Sequence, residues 1–195
     1  MKKAFLLASI LLISVISTAC INNFAVQELN NKAKAFMDKG DYVSAIERLK
    51  SSVDLDDTVF ETQYNLAIAY TKAEDYENAI KAYNAASELN PDFADLYYSR
   101  AVCEENLAKD IISGELVVDE NEVVSKAEKK DVTEENTVIN NSKLPESAIK
   151  VILSSIDSAS SDYQIYMDKA QSSSDKEEIN NKLEELKKLA ESYAE

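Results

Sequence analysis

The chain has 195 residues, of which only two are glycine and two are proline, so it lacks the turn residues that a protein of many strands requires. Its 21 lysine and arginine residues face 36 aspartate and glutamate residues, which gives a formal charge of −15. This charge argues against nucleic-acid binding, which depends on cationic contacts with phosphates, and against adsorption to an anionic membrane surface. We therefore expect an acidic, all-α protein.

The N-terminal segment, residues 1–19, has the pattern of a secretory signal peptide. Lys2 and Lys3 precede an apolar run over residues 4–16, which is shorter than a membrane span. The run is followed by the small residues Ser17 and Ala19. This pattern predicts that the protein is exported.

The segment that ends at Cys20 resembles the lipobox of bacterial lipoproteins, in which the cysteine is acylated and becomes the new N-terminus. Ser17 departs from that pattern, since leucine is usual there, and a freely secreted protein is the alternative. The resemblance implies a lipidated tether over residues 20–25. Each buried methylene of an acyl chain contributes about 0.8 kcal/mol, so palmitate-type chains would hold the protein on a membrane. Ile21, where an aspartate would indicate inner-membrane retention, favours the outer membrane.

A regular period runs through the first half of the chain. Alanine recurs at one fixed interval in two series, Ala33, Ala67 and Ala101 in the first and Ala45 and Ala79 in the second. A fixed period of this size indicates stacked supersecondary units, each of which needs its neighbour to bury its apolar face.

The second unit, residues 60–93, carries the clearest pattern. Its residues from Tyr64 to Pro91 resemble the tetratricopeptide repeat, a helix-turn-helix of about 34 residues. The resemblance implies an α-solenoid of antiparallel helix pairs, with the first two repeats and the first helix of the third over residues 26–108. The alanines let paired helices approach closely, and Pro91 stops the second helix of its pair.

The third unit is interrupted. Its second helix is expected only from Pro145, where Ala148 echoes Ala79. Residues 109–144 then form an acidic insertion, expected to be a loop or partly disordered. A small hairpin within it and a lengthening of the flanking helices are the alternatives, and a role in binding a partner stays open.

Residues 145–195 are expected to hold the second helix of the third repeat, a fourth helix pair that begins at Asp162, and a capping helix. Ser174 and Glu177 have the spacing of a capping box at the start of that last helix. Its expected buried face is Ile179, Leu183, Leu186, Ala190 and Tyr193.

Three residues of the third unit are singled out by their chemistry. Cys103 is predicted to be a small buried residue without a disulfide partner. Arg100 and Glu104 stand where leucine and an aromatic residue are usual, and their spacing of four favours a local ion pair. The alternative is that this face meets the insertion.

By the resemblance, the first helices of the units line a concave groove for a partner. Tyrosine offers contact area at low entropy cost and asparagine pairs with an extended backbone, so these residue types suit a peptide. The predicted binding residues are Asn31 and Lys34 from the first unit, Tyr64, Asn65, Ile68 and Lys72 from the second, and Tyr98, Ser99 and Val102 from the third.

Some repeats of this family clamp a C-terminal carboxylate with lysine, asparagine and arginine. Asn65 fits the asparagine position, but Asn30, Asp95 and Ser99 stand where cations would be needed, and Lys34 replaces another asparagine. This comparison argues against a partner of the chaperone-tail type.

No catalytic residue, cofactor or metal site is expected. The chain has no histidine, so a histidine-activated nucleophile is impossible, and no glycine-rich phosphate loop. We predict a membrane-anchored adaptor or scaffold for an envelope protein or peptide, in cell-envelope assembly or maintenance, as the resemblance to envelope tetratricopeptide lipoproteins implies. The alternative is a cell-surface lipoprotein that binds a small molecule or a host component.

Overall fold

The computed structural model describes residues 23–127, 144–170 and 175–193, which form seven helices and one two-stranded hairpin. The chain divides into two compact units, Met1–Asn90 and Pro91–Glu195. The predicted signal peptide, Cys20 and the first part of the predicted tether lie outside the described residues. Within the described ranges, no helix combines the length and the apolar character needed to cross a membrane.

The described part of the first unit, residues 23–90, contains four helices joined by short turns, so that consecutive helices are antiparallel neighbours. They are α1, residues 23–37, α2, Tyr42–Leu55, α3, Phe60–Lys72, and α4, Tyr76–Leu89. The four periodic alanines of this unit, Ala33, Ala45, Ala67 and Ala79, are all fully buried. Alanine at these positions lets the helix backbones pack closely, as the period predicts.

The turn within the first helix pair recurs at the corresponding place in the second. Gly40 and Glu74 both have a positive φ, of 75° and 61°. Asp41 and Asp75 follow them as N-caps, and each carboxylate accepts the backbone N–H of the residue three positions on. The same left-handed turn and side-chain cap therefore start the second helix of both pairs.

The second unit is built on a long helix pair. Its elements are α5, Ala94–Ser113, β1, Leu116–Val118, β2, Val124–Lys126, α6, Glu146–Lys169, and α7, Lys176–Tyr193. Contacts join α5 to α6, α6 to α7, and β1 to both α5 and α6. Gly114, with a φ of 81°, ends α5 and turns the chain into β1.

The described part of the predicted insertion is ordered structure. The helix α5 lengthens to Ser113, and β1 pairs antiparallel with β2. The carboxylate of Asp119 accepts the N–H groups of Asn121 and Val123, which closes a turn that has no glycine. The hairpin and the helix extension, which the sequence predicted as alternatives to a loop, are thus both present. Residues 128–143 of the insertion lie outside the described residues.

Aromatic contacts fix which part of α6 completes the third helix pair. The rings of Tyr98 and Tyr163 meet edge to face, with centroids 5.8 Å apart and an interplanar angle of 66°. The rings of Tyr64 and Tyr83 do the same in the second pair, at 6.1 Å and 60°. Since Tyr98 follows Tyr64 by one full period, Tyr163 takes in the third pair the place that Tyr83 has in the second.

The predicted alignment of Ala148 with Ala79 is therefore wrong. Ala159 precedes Tyr163 by four residues, as Ala79 precedes Tyr83, and both alanines are fully buried. The echo around Ala148 is local, and the chain resumes the repeat eleven residues later. The intervening first part of α6 is an extension that accompanies the lengthened α5.

The expected fourth helix pair has no first helix of its own. Asp162, where that helix should begin, lies in the middle of α6, which is one continuous helix of 24 residues. No glycine or proline interrupts this stretch, so nothing in the sequence breaks the helix. The described residues thus contain three helix pairs and the terminal helix α7.

The terminal helix α7 buries the predicted face. Ile179 and Leu186 are buried, while Leu183, Ala190 and Tyr193 are half-buried. Ser174, the expected N-cap, lies outside the described residues.

Candidate binding surfaces

Six of the predicted groove residues lie in the first unit. On α1, Asn31 and Lys34 are exposed, and on α3, Tyr64, Asn65 and Ile68 are half-buried and Lys72 is exposed. The helix α3 buries Leu66 and Ala67. Ile68 and Lys72, one turn apart, therefore lie on a face that the packing of the unit leaves partly open to solvent.

The ring of Tyr64 is part of the packing of this unit. It stacks on Phe60, with centroids 5.7 Å apart and planes 7° from parallel, and meets the edge of Tyr83. Such aromatic contacts are each worth about 0.5–1.5 kcal/mol. Truncation of Tyr64 would thus weaken the fold as well as any binding surface.

Asn30 joins three helices through its side-chain amide. Its Nδ2 lies 2.9 Å from the carbonyl oxygen of Val26, 2.9 Å from Oγ of Ser52 on α2, and 2.8 Å from Oγ1 of Thr62 on α3. Ser52 and Thr62 are themselves fully buried. The position that a cation occupies in a carboxylate clamp is therefore used here to hold α1 on α2 and α3.

A cavity of about 500 Å³ lies in the first unit beside this junction. Its lining combines carboxamides, carboxylates and two valines: Asn23, Val26, Gln27, Asn30, Asn31, Asp56, Val59 and Glu61. Of the predicted binding residues, only Asn31 is among them. The signal in the sequence is the series of carboxamides at positions 23, 27, 30 and 31, whose spacing puts them on one side of a helix.

The other three predicted residues, Tyr98, Ser99 and Val102, are half-buried on α5 in the second unit. The ring of Tyr98 contacts Tyr163 and also Tyr166, at 5.3 Å between centroids. The hydroxyl of Tyr166 donates to the carboxylate of Asp175, at 2.9 Å, which ties α6 to the start of α7. Tyr98, like Tyr64, thus serves the packing of its own helix pair.

A buried polar group of side chains, the Arg100 cluster, consists of Arg100, Glu104 and Asp162 and lies between α5 and α6. Nε and Nη2 of Arg100 donate to the two carboxylate oxygens of Asp162, at 2.6 and 2.7 Å. The predicted local pair of Arg100 with Glu104 overlooked this link, because the partner is 62 residues away in the sequence.

Glu104 is the anomalous member of the Arg100 cluster. It is 6% exposed, and its Oε2 is buried without a hydrogen-bond partner. Burial, reinforced by the charge of Asp162 and only partly offset by that of Arg100, raises the pKa of Glu104 to about 8. The carboxyl group is therefore protonated and neutral at pH 7.

Glu105 behaves in the opposite way on the same helix. Burial acts to raise the pKa of Glu105, but hydrogen bonds from Lys109 and Tyr163 outweigh it, and the pKa lies below its ordinary value. Tyr163 donates to Oε2 at 2.8 Å and Lys182 of α7 lies 3.3 Å from the same oxygen. Glu105 thus links α5, α6 and α7 as a paired carboxylate.

The second helix pair shows what the Arg100 cluster replaces. The three positions that correspond by the repeat are Leu66, Tyr70 and Ala82, of which Leu66 and Ala82 are buried. The cluster therefore substitutes a charged layer for an apolar one at the centre of the third pair. In the described ranges, no group of three or more carboxylate or cysteine side chains is placed to hold a metal ion.

Antiparallel helix pairs that repeat at a fixed interval define an all-α solenoid. Residues 60–93 match the family model described as tetratricopeptide repeat, which confirms the fold class predicted from the sequence. Among the curated proteins, none is significantly similar to this chain in sequence.

Solved structures support the same fold. The chain is similar to the first tetratricopeptide domain of Spaghetti (RPAP3), bound to the HSP90 peptide SRMEEVD, with 16% identity, a TM-score of 0.55, and 84% of this chain and 91% of that chain covered. It is also similar to the second such domain of human RPAP3, in complex with the HSP70 peptide SGPTIEEVD, with 15% identity and a TM-score of 0.53, over 85% of this chain and 98% of that one. At these identities the likeness shows the fold.

Proposed function

We propose that this protein is a lipid-anchored adaptor of the bacterial cell envelope, which binds a protein or peptide partner through the first helices of its tetratricopeptide pairs. The observation that carries the proposal is the partly open face of α3, where half-buried Ile68 and exposed Lys72 follow each other by one turn. Two of the structures similar to this chain hold peptides, which supports a peptide or protein as the partner.

The partner proposed here is not an acidic chaperone tail. Arg100 is bonded to Asp162, and Asn30 is held between helices, so neither is placed to clamp a carboxylate. Asp95 is exposed on α5 and would repel an acidic peptide.

The anchor and the envelope location rest on the signal-like residues 1–19 and on Cys20. Growth of the native organism with labelled palmitate tests them. The wild type should carry label and sediment with membranes, and Cys20→Ser should lose both. Cys103→Ser is the matched control, because this cysteine is buried in α5 and should leave labelling unchanged. Label on the Cys20→Ser variant would contradict the anchor.

Photo-crosslinking in cells tests the binding face. A photoreactive residue at Ile68 or Lys72 should capture an envelope protein. The same residue at Glu47 or Lys81, exposed positions that correspond to each other on the second helices, should not. Equal capture from both pairs of positions, or capture from neither, would contradict the adaptor function.

The protein is proposed to be a binding protein and not an enzyme.

A further inference from the structure

The cavity of the first unit has a one-sided chemistry. The described residues that line it include Asp56 and Glu61, with their carboxylates, and four residues with carboxamides, and none of them is lysine or arginine. The polar side chains of the lining therefore present more oxygen acceptors than nitrogen donors to a ligand, and their only charges are negative. A donor with a positive charge is the ligand that complements such a surface.

The carboxylate side of the cavity is held in place before any ligand arrives. Oδ1 of Asp56 accepts hydrogen bonds from the backbone N–H and the hydroxyl of Thr58, at 3.0 and 2.6 Å. These bonds lower the pKa of Asp56, so the carboxylate stays ionised. Gln63 donates from Nε2 to the carbonyl oxygen of Asp57, which fastens the same loop to α3. A preorganised site loses little conformational entropy when it binds.

Asn30 also lines the cavity. Its Nδ2 is surrounded by three oxygens, but its Oδ1 is buried and has no hydrogen-bond partner. Asn30 therefore holds this wall of the cavity on α2 and α3.

We propose that this cavity receives a lysine or arginine side chain of the peptide partner. The inference rests on the proposed function and names its ligand class. The ammonium or guanidinium group would lie among Asp56, Glu61 and the carboxamides, while the methylene stem covers Val26 and Val59. The pocket is then opposite in charge to the carboxylate clamps of related repeats. The partner is a basic segment, in keeping with the formal charge of −15 of this chain.

A titration of the full chain in detergent micelles, followed by NMR of the side-chain amide groups, tests the proposal. The probe is the acetylated, amidated peptide Gly-Lys-Gly-Lys-Gly, and its counterpart with norleucine at both lysine positions is the control. We expect the lysine peptide alone to shift the NH₂ signals of Asn23, Gln27 and Asn31. The variant Asp56→Asn/Glu61→Gln should bind it about tenfold more weakly, which corresponds to about 1.4 kcal/mol.

A second variant, Asp54→Asn/Glu77→Gln, changes the net charge equally at exposed positions of the same unit and should weaken binding less than about twofold. Equal weakening in both variants would mean attraction by net charge, and would overturn the pocket. Spermidine that shifts the same signals when the lysine peptide does not would make the ligand a small amine, and would overturn the peptide. Crosslinking from Ile68 and Lys72 is independent of these results, so failure here leaves the adaptor function standing.

Discussion

Arg100 on α5 and Asp162 on α6 form a doubly hydrogen-bonded ion pair inside the third helix pair, with N–O distances of 2.6 and 2.7 Å. Two alanines of α6, Ala148 and Ala159, could in principle correspond to Ala79 and pack against α5. Three residues after Ala159 stands Asp162, which pairs with the guanidinium of Arg100, whereas three residues after Ala148 stands Val151. We interpret the ion pair as the feature that selects the register, a role that buried polar groups have in some other helical proteins.

Removal of one member of the Arg100 cluster should destabilise the protein strongly, whereas replacement of all three members by apolar residues should destabilise it little. Arg100→Leu leaves the carboxylate of Asp162 buried without its cation, and should lower the free energy of unfolding by about 3–5 kcal/mol. The triple variant Arg100→Leu/Glu104→Tyr/Asp162→Ala copies the second pair and should recover most of this loss. Urea unfolding followed by circular dichroism measures both.

The single variant Asp162→Ala provides the control for this prediction. Glu104 can then ionise and pair with Arg100 four residues away, so the loss should be smaller than for Arg100→Leu. Equal losses for the two single variants, or no recovery in the triple variant, would show that the cluster stabilises the pair in a way that its apolar replacement cannot.

Glu104 should make the stability of the protein depend on pH. Its pKa of about 8 in the folded state exceeds the ordinary value of 4.5. Between these values the folded chain keeps a proton that the unfolded chain has lost, so the free energy of unfolding falls as the pH rises, and the effect ends above pH 8. Where the folded chain is protonated and the unfolded chain is ionised, the free energy of unfolding falls by about 1.4 kcal/mol for each pH unit.

Glu104→Gln measures this contribution directly, because the carboxamide has the same shape and no charge at any pH. The variant should equal the wild type near pH 4.5 and exceed it by about 2–4 kcal/mol at pH 8.5 in urea unfolding. The difference between the two proteins removes the titration of all other groups. Glu88→Gln, at an exposed position on α4, should show no such trend. A constant difference across the pH range would mean that Glu104 is ionised in the fold.

The junction at Asn30 predicts a stability effect in the first unit. Thr62→Val keeps the size of the side chain but leaves Nδ2 of Asn30 with one oxygen fewer, and should cost about 1–2 kcal/mol. Ser51→Ala, which removes an exposed hydroxyl on α2, should cost less than about 0.5 kcal/mol. Thermal unfolding compares the two. A smaller loss for Thr62→Val than for Ser51→Ala would contradict the role of the junction.

The regular period of the alanines was enough to predict the fold class and the buried alanines of the first unit, because close helix packing leaves little choice at those positions. It was not enough for the third pair. The echo of Ala79 at Ala148 is a local similarity, and only the contact of Tyr98 with Tyr163 shows that Ala159 is the true counterpart. After an interruption, sequence spacing no longer determines which residues lie opposite each other.

The sites were predictable only in part for the same reason. Arg100 and Glu104 are visibly out of pattern in the sequence, but their partner Asp162 is distant along the chain. The cavity is formed by residues of α1, of the loop before α3 and of the start of α3. Only tertiary packing brings Asp56 and Glu61 next to the carboxamides of α1, so the sequence alone did not reveal this site.

The left-handed turn at Gly40 supplies a final prediction. Its φ is 75°, and a Cβ added there would meet no atom within 4 Å, so only the backbone conformation resists a side chain. Gly40→Ala should therefore lower the free energy of unfolding by about 1 kcal/mol, whereas Gly40→Asn should cost less, because asparagine tolerates the left-handed region. Circular dichroism melts of the two variants should show the alanine variant unfolding at the lower temperature. The reverse order would mean that the turn relaxes to a negative φ, and that the N-cap at Asp41 does not depend on it.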